Sequence, residues 1–92
     1  MSKAYLRRGG NTIVLAEQLT PENADALAHW CNGVVVEEID PEDESNRYVG
    51  INVPSFDGAI RVSEGAYLVY DRRLDNFSAM SKTAFEMLHK EA

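Results

Sequence analysis

A chain of 92 residues has room for one modest hydrophobic core, because smaller pieces would bury too little apolar surface to offset the entropy of ordering them. With 45% hydrophobic and 26% charged residues it is too apolar to stay disordered, and it holds no apolar run near the roughly 18 residues of a membrane-spanning helix. Its single cysteine excludes an internal disulfide, and a net charge of −6 speaks against direct binding of nucleic acid driven by electrostatics.

Residues 1–10 read as a loosely ordered lead, with Leu6 extending the first strand across an irregular Gly9-Gly10 break. Thr12–Leu15 is that first strand, with Ile13 and Leu15 on one face and Val14 on the other. Thr20-Pro21-Glu22-Asn23 predicts a helix start: threonine supplies a capping oxygen, and proline tolerates the first helical position. From about Pro21 to Cys31, Ala24, Leu27, Ala28 and Cys31 share one face, which should pack on a sheet. Asn32-Gly33 stops the helix, glycine being the residue that accepts a left-handed backbone.

The β-branched run Val34–Ile39 predicts a strand, and Pro41 with the acids to Asn46 a solvated loop that charge repulsion extends. Tyr48–Val53 alternates as a strand, and Pro54–Gly58 connects it as a hairpin to Ala59–Val62. Ala66–Asp71 and Phe77–Met80 follow as strands, and Ser81 caps a final helix from Lys82 to about Lys90. Short turns between successive strands favour an antiparallel meander. The expected fold is a single α+β domain over residues 1–92: a small, strongly curled antiparallel sheet forming a partly open barrel, one helix after the first strand, and a short C-terminal helix.

Three stretches resemble a family of small phage and prophage proteins, the PGDYG-type family. Trp30-Cys31-Asn32-Gly33 closes the first helix where that family has an aromatic-Cys-Gly-Gly. Val62-Ser63-Glu64-Gly65-Ala66-Tyr67-Leu68-Val69 is similar to the family's Val-x-Pro-Gly-Asp-Tyr/Trp-Ile-Val, with Glu64 in place of the proline and Ala66 in place of the aspartate. Phe77, Phe85 and Glu86 align with the family's Phe-Tyr-x-x-x-Pro-x-x-Phe-Glu ending. The resemblance implies a phage-encoded accessory protein acting in a bacterial host cytoplasm. It brings no biochemical activity and no functional residues. A start without an apolar run or cleavage site behind its basic residues fits the same compartment.

No catalytic motif is readable, so an enzyme is not expected, and no cofactor or metal is implied. His29 and Cys31 stand two positions apart on a helix and face nearly opposite ways, so they cannot pair as base and nucleophile. Asp40, Glu42 and Glu44 alternate as in a calcium loop, but Ser45 stands where the turn needs glycine and Ile51 where the bidentate glutamate belongs. Gly9-Gly10 and Asp57-Gly58 are turn glycines outside any phosphate-binding fingerprint. Two features suit a protein partner: the acids Glu42, Asp43 and Glu44, and Phe56 at a hairpin tip. The expected role is binding of a host or phage protein, or of a second copy through an edge strand, without membrane contact. The alternative is an acidic DNA mimic that blocks a DNA-binding or restriction protein.

Overall fold

The computed structural model describes residues 2–55 and 58–92. The fold is α+β, with two antiparallel sheets and, among the described residues, two helices. Sheet A has the order β7-β6-β2-β1-β8, built from Asn76–Met80 (β7), Tyr67–Asp71 (β6), Ile13–Gln18 (β2), Lys3–Arg7 (β1) and His89–Glu91 (β8). Sheet B has the order β3-β4-β5, built from Val34–Ile39 (β3), Arg47–Ser55 (β4) and Gly58–Ser63 (β5). Helices Ala24–Cys31 (α1) and Lys82–Leu88 (α2) follow β2 and β7. No helix of the described residues is long and apolar enough to cross a membrane.

The expected curled barrel is corrected, because the meander breaks between β5 and β6. Leu19 sits beside that turn, its amide donating to the Ala66 carbonyl at 2.9 Å and its carbonyl accepting from the Gly65 amide at 2.8 Å. Gly65 takes φ +90°, which suits glycine. These bonds lay β6 against β2, with Leu15 opposite Tyr70 and Gln18 opposite Tyr67. The chain thus changes sheets where a single meander would have continued, and neither sheet closes.

The reading of Leu6 as an extension of the first strand is also corrected, because it belongs to a strand of its own. Lys3–Arg7 is an inner strand, paired with β2 on one side and β8 on the other. Gly9-Gly10 belongs to the β1–β2 hairpin turn, across which the Arg7 amide donates to the Thr12 carbonyl at 2.9 Å. Tyr5 fixes this strand by packing edge-on against Phe85, with ring centroids 4.8 Å apart. The first helix therefore follows the second strand. The last helix ends two residues early, since His89 turns extended (φ −135°, ψ 155°) and joins the edge of β1.

Two clusters form the core, one on each face of sheet A. On one face Leu68 meets α1 (Ala24, Leu27, Ala28, Cys31) and the inner side of sheet B (Ile51, Val53, Val62). This is the predicted helix face, and full burial of a residue such as Leu27 contributes about 1.5–3 kcal/mol. On the opposite face, one residue out of phase along each strand, Val14, Ala16, Tyr67 and Val69 pack with Phe85 of α2. Thr20 and Asn23 bond reciprocally, Thr20 N–H to Asn23 Oδ1 at 2.8 Å and Asn23 N–H to Thr20 Oγ1 at 3.3 Å. The threonine therefore stabilises a lead-in turn, and the helix proper starts at Ala24.

Candidate functional site

Sheet B carries both acid-rich β3 and the turn that follows it, so its geometry decides what the acids can do. The β3–β4 register runs from Val34 opposite Asn52 to Ile39 opposite Arg47. The Asp40 amide donates to the Asn46 carbonyl at 3.2 Å, which makes Asp40 and Asn46 a hydrogen-bonded pair. Such pairs recur every second residue in an antiparallel ladder, so Val34, Val36 and Glu38 also turn their backbone groups toward β4. Val35, Glu37 and Ile39 turn theirs outward. Among the described residues these outward amides and carbonyls have no partner. The open edge is flanked by exposed Val34 and Ile39, at 64% and 55% of their full accessible surface.

The acids divide into two groups. Glu37 pairs with Arg47 Nε at 2.8 Å, and Glu38 with Arg61 Nη1 at 3.0 Å. On the outer face Arg61 Nε also donates to Asn52 Oδ1 at 2.5 Å, and the Ser63 hydroxyl donates to Glu38 at 3.2 Å. Gly50 is the floor of this network, because a Cβ there would stand 3.1 Å from Glu38 Cδ and 3.2 Å from Arg61 Cδ. Asp40, Glu42, Asp43 and Glu44 have no ion pair among the described residues.

The acid-rich segment is folded, which corrects the extended loop expected from charge repulsion. Asp40 Oδ1 accepts the Glu42 amide at 2.9 Å, and Asp43 Oδ1 accepts both the amide and the hydroxyl of Ser45, at 3.1 and 2.6 Å. The Asn46 amide closes the turn on the Asp43 carbonyl at 2.9 Å, and the Arg47 guanidinium donates to the Glu44 carbonyl. Local bonds to short acidic side chains outweigh a repulsion that water and salt screen. The Ser45 hydroxyl and amide hold the Asp43 carboxyl below its ordinary range. Glu42, Asp43 and Glu44 are therefore presented together on one turn at the end of the open edge, fully in solvent.

Phe56 and its neighbour Asp57 lie outside the described residues. Trp30, Tyr70 and Phe77 form a half-buried aromatic cluster, Trp30 edge-on to Phe77 at 5.0 Å and to Tyr70 at 6.2 Å. His29 is exposed and Cys31 buried, and burial pushes the thiol pKa up. Among the described residues no three His, Cys, Asp or Glu side chains gather in a group that could hold a metal ion. Sequence reasoning singled out the acids and did not show which backbone groups stay open. The signal was present in the phase of the Val34–Ile39 run relative to the turn, and it became readable only once the Asp40–Asn46 bond was known.

An α+β chain of two antiparallel sheets presenting an open strand edge belongs to a class of architecture that hosts many unrelated functions. Comparison with known proteins finds no match among protein-family models, curated proteins or solved structures.

Proposed function

We propose that this chain is a protein-binding module that adds a partner's strand to the open edge of β3 and steers that partner through the acidic turn. The observation that carries this reading is the free row of backbone groups on Val35, Glu37 and Ile39, unblocked by proline, bulge or covering loop among the described residues. Main-chain bonds at such an edge supply affinity, and the adjacent side chains supply selection. The resemblance of Val62–Val69 and Phe77–Glu86 to the PGDYG-type family supports a phage-encoded accessory protein meeting a protein in the host cytoplasm. The DNA-mimic alternative is weakened by the neutralisation of Glu37 and Glu38, which leaves four clustered acids in place of six.

Glu37→Pro tests the reading. It removes one outward amide and the surface Glu37–Arg47 ion pair but none of the β3–β4 ladder, and proline is tolerated on sheet edges, so Glu37→Gln serves as the control that loses the pair and keeps the amide. Affinity capture from a bacterial lysate should retain a partner on the wild-type chain and lose it on Glu37→Pro, with the two baits matching in thermal unfolding. Repeated capture of nothing, or equal capture by both baits, argues against strand addition.

A further inference from the structure

The net charge of −6 conceals a sorting of charge in space. Four of the nine cations are ion-paired: Lys3 with Glu91, Arg47 with Glu37, Arg61 with Glu38 and Arg73 with Asp71. Of the five without an ion pair among the described residues, Arg7, Arg8, Arg72 and Lys90 are exposed and stand at one end of sheet A. Lys90 lies on β8 opposite Leu6, and Arg7 and Arg8 end β1. Arg72 follows β6, where the register of Leu15 with Tyr70 carries Ile13 to its level.

The strands β8, β1, β2 and β6 are successive neighbours in sheet A. At a spacing of about 4.8 Å per strand, the cations span a row of about 15 Å, with β2 supplying none of them. Two open clefts run along this row and meet at Asn11, one bordered by Arg7, Arg8 and Lys90, the other by Arg72 and Arg73. Between them Gly9 and Gly10 offer no side chain, and nothing lies within 4 Å of where a Cβ would stand on either. A bulky backbone can approach there. Of the acids nearby, Asp71 is paired with Arg73, and Asp75 accepts from the Tyr70 hydroxyl at 2.6 Å while keeping its charge.

The acidic turn is remote from this end. The β4–β5 hairpin shares a cleft with Leu74–Phe77, next to Arg72 and Arg73, whereas the turn lies at the other end of nine-residue β4, about 26 Å away. The cation cluster and the acidic turn therefore stand well apart on the molecule.

We propose that the basic end of sheet A binds the phosphodiester backbone of nucleic acid, independently of the strand-addition site. Guanidinium groups match phosphate oxygens in bidentate geometry, and three of the four unpaired cations at this end are arginines. A linear ligand lying across the strand ends meets cations at β8, β1 and β6, with the uncharged start of β2 between the last two. The Gly9-Gly10-Asn11 tip carries no apolar side chain, the apolar residues bordering the two clefts are Leu6 and Ile13, the latter 53% exposed, and the row has no deep apolar recess to anchor an acidic peptide. Contact is made to phosphates alone, so binding is insensitive to base sequence and sensitive to salt.

Fluorescence anisotropy of labelled oligothymidylate, oligouridylate and a short duplex tests this. Four phosphate contacts to a single strand should raise Kd about 20-fold between about 50 and 150 mM salt. Arg72→Gln with Lys90→Gln should cut that rise to about 5-fold while circular dichroism stays native. Arg72→Gln alone, an exposed turn substitution, serves where the pair fails to fold, and should lower the slope by about a quarter. Neutralising Glu42, Asp43 and Glu44 should leave the slope unchanged, which separates this site from the protein-binding edge. The proposal is overturned by no binding of any oligonucleotide at low salt, by a slope that the Arg72 and Lys90 variants do not move, or by polyglutamate or phosphatidylserine vesicles binding as tightly.

Discussion

Gly33 and Gly50 look alike in sequence and do different work. Asn32, with φ 60°, is the left-handed residue that ends α1, so Gly33 is not needed for helix termination as the sequence suggests. It is needed for room: a Cβ at Gly33 would stand 2.6 Å from the Asn52 carbonyl oxygen and 2.8 Å from Ile51 Cγ2, a backbone atom and a buried core group. Gly33→Ala should therefore cost about 1–3 kcal/mol in urea unfolding. At Gly50 the atoms in the way belong to Glu38 and Arg61, long side chains at the surface that can shift. Gly50→Ala should cost under about 1 kcal/mol, and a ranking of the two in reverse would contradict this account. Asp43 gives a pH dependence of known sign. Its carboxyl pKa is lowered by the Ser45 hydroxyl and amide, so order in the turn is full above the unfolded carboxylate range and is lost as pH falls through the lowered value. Following the Ser45 amide by NMR should show a transition below the ordinary aspartate range; one at or above it would contradict the bonding described.

Elements with strong internal pattern were legible in the sequence. The stripe Ala24, Leu27, Ala28, Cys31 is buried as its spacing demands, and Ser81 caps α2 by accepting the Ala84 amide at 3.2 Å. Elements whose reason lies in a distant partner were not. Lys3–Arg7 is bounded by cations and looks like a solvated lead, yet Tyr5 reaches Phe85, eighty residues on, and a strand results. His89–Glu91 continues a helical pattern, yet the edge of β1 outcompetes another turn of helix. His89 is buried there, its ring stacked on Phe85 at 4.4 Å and its Nδ1 3.2 Å from the Phe85 carbonyl oxygen. The split of the meander at Leu19 follows the same logic, since nothing in Ser63–Ala66 announces that the next strand will choose β2 over β5. Pro54 illustrates consistency between levels: it lies beyond Asn52, the last residue of β4 that β3 pairs, where no ladder requires its missing amide.

For the whole molecule, composition gave an average where function depends on distribution. A net charge of −6 speaks against a nucleic-acid partner only if the charge is spread evenly, and here the unpaired cations and the clustered acids stand far apart. The acidic residues themselves were legible as a candidate site; their compact turn and the open strand beside it were not, because both depend on hydrogen bonds that a linear sequence does not display. The claim that matters most is that β3 is an edge waiting for a strand. Residue-resolved amide hydrogen exchange, on the free chain and after addition of the captured partner, tests it directly. In the free chain Val36 and Glu38 should be protected while Val35, Glu37 and Ile39 exchange freely, and the partner should bring protection to those three amides. A partner whose binding leaves Val35, Glu37 and Ile39 exchanging as before would contradict the account.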